Sequence, residues 1–230
     1  MKKEIKVIAF DADDTLWVNE PYFQEAEKQF CSLLSNHLSQ EEISKELFQT
    51  EMKNLPLYGY GAKGFLLCMI ETANRISKDK VAPNIISEII EIGQDLLQKP
   101  IELLDGVPET LENLKDDFQL IVATKGDLLD QERKLKNSGI EHYFHHIEIM
   151  SEKKTADYKK LLYHLNCLPE NFLMLGNSVK SDILPILELG AHAGHIPYHV
   201  TWTHEQQEQT IKSERFVQLQ SIDEILNYLK

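Results

Sequence analysis

The sequence predicts an α/β fold: a doubly wound, Rossmann-like parallel sheet, interrupted after its first strand by a block of four helices. Three observations predict it. The apolar run Ile5 to Phe10 lacks the polar alternation of a half-exposed strand, so it reads as a strand covered on both faces. From Pro21 to about Lys99 the pattern is helical only, and beyond Lys99 strand and helix patterns alternate, as in a parallel sheet with helices on both faces. At 230 residues the chain can hold a core domain and a smaller inserted one, and the pattern sets the core at 1–18 and 101–230 and the insertion at 19–100.

In the insertion, Pro21 suits the first turn of a helix whose apolar face is Phe23, Ala26, Phe30, Leu33 and Leu34. Ser39 with Glu42 has the spacing of a capping box ahead of Ile43 and Leu47. A third helix runs from about Lys63 through Phe65, Leu66, Met69, Ile70 and Ala73, and a fourth follows Pro83 with Ile85, Ile86, Ile89, Ile90, Leu96 and Leu97. In the core, Pro108 opens a helix with Leu111 and Leu114, Gln119 to Thr124 is a strand, and the helix Leu128 to Ser138 stops at Gly139, a residue suited to a C-cap. Then come a strand near Ile147 to Met150, a helix from about Ala156 to Leu165, the strand Phe172 to Leu175, a helix from about Ser181 to Leu189 and a strand near His195 to Pro197.

With 24 Lys+Arg against 37 Asp+Glu, the net charge of −13 argues against a nucleic-acid partner, which needs clustered positive charge, but leaves a small phosphorylated metabolite open. No apolar run approaches the ~18 residues of a membrane span, so no membrane partner is expected. Cys31, Cys68 and Cys167 are odd in number, far apart and set among apolar neighbours; they read as reduced, buried thiols of a cytoplasmic protein. The pattern says nothing of the oligomeric state.

In an open α/β sheet ligands bind beyond the carboxyl ends of the strands. Those ends gather Asp11 and Asp13 after the first strand, Thr124 and Lys125 at the second, Lys153 and Lys154 after the third, and Asn177, Ser178 and Asp182 after the fourth. Carboxylates held this close repel, and one resists ionising, unless a hard cation or a fixed lysine compensates. Mg2+ is the best candidate, because it takes oxygen ligands, keeps waters and is commonly bound through carboxylates plus substrate phosphate.

These residues carry a resemblance. "DADDT" (Asp11 to Thr15) resembles the DxDxT/V signature of the haloacid dehalogenase-like (HAD) hydrolase superfamily; "VATKG", "SEKKTADY" and "GNSVKSD" resemble its later motifs, in the right order and each at a predicted strand end. A helical insertion between the first two motifs is where that superfamily places its α-helical cap. The resemblance implies a phosphatase in which Asp11 is the nucleophile that becomes an aspartyl-phosphate and Asp13 the general acid/base. It implies further that Thr124 binds the transferring phosphoryl, that Lys153 steadies nucleophile and phosphate, and that Mg2+ is held by Asp11, Asp13, Asn177 and Asp182. Thr15 is expected to tie the loop by hydrogen bonding. Many members have Asp where this chain has Asn177, which offers Mg2+ an amide oxygen without charge. Lys153 is favoured over Lys154 because the Tyr five residues on, Tyr158, resembles the family's spacing.

Other expectations are plainer. Asp14 reads as a solvated or loop-capping acid, Lys154 as a solvent-facing charge, and Lys125 as either solvent-facing or, beside Thr124 and Lys153, substrate-binding. His142, His145 and His146, and the later group His192, His195, His199 and His204, read as satisfied or surface histidines rather than a metal site. Trp17, Tyr58 and Tyr60 could touch substrate but suit the core. A dehalogenase would need neither Asp13 nor metal, a phosphomutase would hand the phosphoryl to a second hydroxyl, and a binding protein on a degenerate core has only Asn177 in its favour. The insertion is expected to set substrate choice.

Overall fold

The computed structural model describes residues 4–206 and 210–229. Strand β1 (Val7–Phe10) is buried throughout. It leads through a loop to four helices: α1 (Glu20–Leu33), α2 (Gln40–Tyr58), α3 (Ala62–Ile76) and α4 (Pro83–Leu97). The chain then runs through α5 (Val107–Leu114), β2 (Gln119–Lys125), α6 (Leu128–Ser138), β3 (His146–Met150), α7 (Thr155–His164) and β4 (Phe172–Gly176). The described chain ends with α8 (Leu184–Glu188), β5 (His192–His195), β6 (Phe216–Gln218) and α9 (Ile225–Leu229). Two compact units result. One takes in the chain through Glu20, Ile101–Lys125 and Glu132 onward; the other is Pro21–Pro100 with the short segment Gly126–Gln131.

The α/β unit is built on a six-stranded sheet in the order β3-β2-β1-β4-β5-β6, parallel at every pairing. Phe10 lies opposite both Val122 and Leu175, so β1 and β4 end almost together while β2 runs on through Ala123 and Thr124 to Lys125. Alternation along each strand divides the core into two layers. Ile8, Phe10, Leu120, Val122, Leu173 and Leu175 face one layer, with Val107 and Leu111 of α5. Val7, Ala9, Ile121, Ala123, Phe172 and Met174 face the other, with Tyr158, Leu161 and Leu162 of α7. The sheet order reverses between β1 and β4, which makes the end of β1 a switch point where such folds bind ligands.

The helical unit has its own core, centred on Phe30, Leu34, Ile43, Leu47, Met69, Ala73 and Ile89. Its helix starts follow from local chemistry. The Ser39 hydroxyl accepts from Glu42 N while the Glu42 carboxylate accepts from Ser39 N, the capping box that the spacing predicts. Pro83 opens α4, where its missing N–H costs nothing. Gly61 precedes α3 at φ 106, a backbone angle that side chains disfavour.

The structure departs from the sequence pattern in several places. The strand expected near His195 to Pro197 is instead His192–His195. Within it Gly194 leaves room for Leu175, with which a side chain there would collide. The helix expected from Ser181 is a π-turn, Val179–Ile183, running into α8. Strand β6 and helix α9 carry no periodic signal and were not expected. Cys31 and Cys68 are buried, but Cys167 is only half-buried, because it follows the end of α7 in a turn with Asn166 at φ 48. No described helix is long and apolar enough to cross a membrane.

Candidate active site

β1 hands its direction to Asp11, whose N–H continues the sheet by donating to Leu175 O at 2.8 Å. Asp11 lies two residues beyond Ala9 and so extends the face that carries Ala123 and Met174. On that face the side chain meets Lys153, which enters from the loop between β3 and α7: Lys153 Nζ donates to Asp11 Oδ1 at 2.5 Å and to Asp182 Oδ1 at 2.7 Å. The Lys153 side chain is 1% exposed, whereas that of Lys154 is 73% exposed and 3.9 Å from Glu152. Geometry therefore puts Lys153, and not its neighbour, among the acids.

Asp182 comes from the π-turn after β4. Such i→i+5 turns are rare and frequent at functional sites, and in this one Asp182 is buried with its carboxylate against Gly176 at the end of β4. Ser178 N donates to Asp182 Oδ2 at 3.0 Å, and the buried Tyr158 hydroxyl donates to Ser181 O at 3.1 Å and lies 3.4 Å from Asp182 Oδ1. The Tyr five residues after Lys153 thus braces its second carboxylate.

Asp13 is held apart from this pair. Trp17 Nε1 at 2.8 Å and Lys134 Nζ at 2.9 Å both donate to its Oδ1, and Lys134 also donates to Asn19 Oδ1 at 2.8 Å. Trp17 itself is buried in the core. Thr15 ties the loop, as expected, by donating to Asn177 Oδ1 at 3.3 Å, and His195 is bonded to Asn177 O and Gln218 Oε1. Thr124, buried at the end of β2, donates weakly to Lys125 O at 3.3 Å.

Two expectations need correction. Asp14 is not solvated: it is buried at φ 59 and accepts from Asn19 N and Glu20 N at the start of α1, so only its capping half stands. Lys125 does not face solvent. Its ammonium is 2.6 Å from Glu205 Oε1 and donates to Ser181 Oγ at 2.9 Å. Sequence reasoning missed Lys134 and Glu205, which stand in no motif, and Ser181, which stands inside "GNSVKSD" but was not singled out.

Electrostatics reflect a charge count. Asp11, Asp182 and Lys153 are all buried, two carboxylates against one ammonium. Burial, reinforced by Asp182 and Asp13, outweighs Lys153 and raises Asp11 to about 7. Lys153 moves up as well: burial alone would lower it, but Asp11 and Asp182 hold its proton. With both acids ionised one negative charge is left uncompensated, and Asp11, Asp13, Asn177 and Asp182 all offer oxygen, the donor type of a hard cation. Among the described residues no three His, Cys, Asp or Glu side chains are grouped closely enough to hold a metal by themselves. Mg2+ tolerates that, since it is usually bound by one or two carboxylates with water and substrate phosphate.

A parallel sheet with a carboxylate, a buried lysine and a second acid at its switch point defines a family of hydrolases: the chain belongs to the haloacid dehalogenase-like hydrolases, whose pattern it matches over residues 5–190. A haloacid dehalogenase-like family hydrolase from Xanthomonas campestris is 34% identical, with 98% of this chain and 92% of that one covered at a TM-score of 0.88. Glyceraldehyde 3-phosphate phosphatase of Methanopyrus kandleri is 26% identical over 190 residues, 78% of each chain. The HAD-hydrolase YfnB of Bacillus subtilis, solved bound to magnesium, shares the fold at a TM-score of 0.66 and 17% identity over 99% of each chain.

Proposed function

We propose that this hydrolase is a Mg2+-dependent phosphomonoester phosphatase acting on a small phosphorylated metabolite through an aspartyl-phosphate on Asp11. The observation that carries the reading is the buried chain Asp11–Lys153–Asp182 at the end of the central strand, with a second carboxylate, Asp13, two residues on. In this reading an Asp11 oxygen attacks phosphorus as the bond to the ester oxygen breaks, and Asp13 gives that oxygen its proton. Asp13 then takes a proton from the water that cleaves the acyl phosphate and restores Asp11. Thr124 and Lys153 bind the phosphoryl oxygens, and Lys153 keeps Asp11 oriented by holding Oδ1. Mg2+ bound among Asp11, Asp13, Asn177 and Asp182 would neutralise the charge shared by these acids and the phosphate.

The relative named for glyceraldehyde 3-phosphate supports a small phosphorylated substrate and makes a triose phosphate the first to try. Asp13 is the group that a dehalogenase would not need. The test is phosphate release from p-nitrophenyl phosphate and a panel of sugar and triose phosphates, with Mg2+ or EDTA, by the wild type and Asp11→Asn. Release that needs Mg2+ and vanishes in the variant is expected; full activity in the variant or indifference to EDTA overturns the assignment.

A further inference from the structure

Glu205 sits in the short turn Thr203–Glu205, between β5 and β6, far from every motif in sequence. Its carboxylate nevertheless reaches the ends of β2 and β4. Oε1 lies 2.6 Å from Lys125 Nζ, and Oε2 accepts from Ser178 Oγ at 2.5 Å and from Ser181 Oγ at 2.6 Å. Lys125 closes the ring by donating to Ser181 Oγ at 2.9 Å. Both ionic side chains are 13% exposed. The same turn makes a second tie, from Lys180 Nζ to His204 O at 2.9 Å.

What this ring holds is the π-turn. Ser178 and Ser181 flank Val179 and Lys180, Ser178 Oγ accepts from Ser181 N at 3.1 Å, and Ser178 N carries Asp182 Oδ2. Turns of this type are rare and are frequent at functional sites. A chain of contacts therefore runs from Glu205 through Ser178 and Ser181 to Asp182, then to Lys153 and Asp11.

We propose that Glu205 and Lys125 are positioning residues: an ion-paired anchor that fixes the Val179–Ile183 turn, and with it Asp182, so that Lys125 acts through Glu205 rather than by touching the substrate phosphate. Charge argues the same way. A carboxylate in contact with the Lys125 ammonium cancels most of its pull on a phosphate. Burial by itself would raise Glu205, but Lys125 and the bonds from Lys125, Ser178 and Ser181 take it down to about 2, so the anchor stays ionised at any working pH. The inference rests on the phosphatase reading for its kinetic arm only.

The test uses the full chain as wild type, Glu205→Gln, Lys125→Met, Ser181→Ala and the double Lys125→Met/Glu205→Gln. The double variant leaves no stranded buried charge and so guards against simple unfolding. Amide hydrogen exchange across residues 178–183, without metal, reads the anchor directly: it should quicken by about tenfold or more in all variants while the strands keep their protection. With p-nitrophenyl phosphate, Glu205→Gln and Lys125→Met should each lower kcat by about 10–100-fold, the double should cost no more than the worse single, and inhibition by inorganic phosphate should move by less than about threefold. Were Lys125 a substrate cation, Lys125→Met would weaken phosphate inhibition, Glu205→Gln would strengthen it, and exchange would not change. That pattern, or unaltered exchange in both single variants, overturns the anchor. A wild type without phosphatase activity would sink the functional reading yet leave the exchange result standing on its own.

Discussion

The Asp182 carboxylate occupies the space that a side chain at Gly176 would need: a Cβ there would overlap the carboxyl group. Gly176 ends β4 and follows Leu175, the partner of Phe10 beside Asp11. Glycine at this position is thus the condition for the second acid to lie close to the first. Gly176→Ala should expel Asp182 from Lys153, cost roughly 1–3 kcal/mol of stability through overpacking, and remove most activity. Urea unfolding together with the phosphatase assay checks it; native stability with full turnover would mean that Asp182 can move at no cost.

Asp13 is fixed by two donors on one oxygen, Trp17 Nε1 and Lys134 Nζ. If it moves the proton of the leaving group, Asp13→Asn should slow hydrolysis of an alkyl phosphate by about 10²–10⁴-fold with little change in KM. Lys134→Met keeps the stem but removes a charged donor, and a hydrogen bond to a charged group contributes about 1.5–3 kcal/mol, so a loss of about 10–150-fold is expected. Steady-state kinetics on both variants decide it; an unchanged kcat in Asp13→Asn removes Asp13 from the chemistry.

How much of this was legible in the chain depends on the kind of signal each residue carries. The strands β1, β2 and β4 are apolar runs that stop at Asp11, Lys125 and Asn177, so the acids and lysines at their ends announce themselves. The choice of Lys153 over Lys154 rested on the spacing to Tyr158, and the contact that Tyr158 makes with Asp182 gives that spacing a physical meaning. Glu205 could not be read, because it lies in a stretch without periodicity and finds Lys125 only once β5 and β2 are in one sheet. Lys134 looks like any charge on the polar side of α6, and β6 is three half-buried or exposed residues with no apolar run to betray it.

Glu205 should also leave a mark on stability. Its pKa is about 2 in the folded protein against 4.5 as the ordinary value, so its contribution is fully present above 4.5 and is lost as the pH falls toward 2. From pH 6 to pH 3 the wild type should lose roughly 2 kcal/mol more than Glu205→Gln, which has no proton to gain there. Urea unfolding of both proteins across that range measures the difference. Parallel curves would mean that the carboxylate gains nothing from Lys125 and the two serines.

The last prediction concerns Asn177, which carries an amide where a carboxylate would bring charge. Its Oδ1 accepts from Thr15, so the side chain bridges the loop after β1 to the loop after β4, between Asp11 and Asp182 in the order of the motifs. Asn177→Asp keeps the shape and the acceptor for Thr15 while adding one negative charge. If the residue faces Mg2+, Coulomb attraction over a few ångströms should tighten the metal even after solvent screening. The Mg2+ concentration for half-maximal activity should then fall in Asn177→Asp and rise, or activity vanish, in Asp182→Ala. The extra charge also repels the substrate phosphate, so turnover at saturating Mg2+ should drop while the metal midpoint improves. Metal titrations at fixed substrate separate the two effects, and a midpoint unmoved by Asn177→Asp would leave Asp182 as the acid of that loop and take Asn177 off the metal.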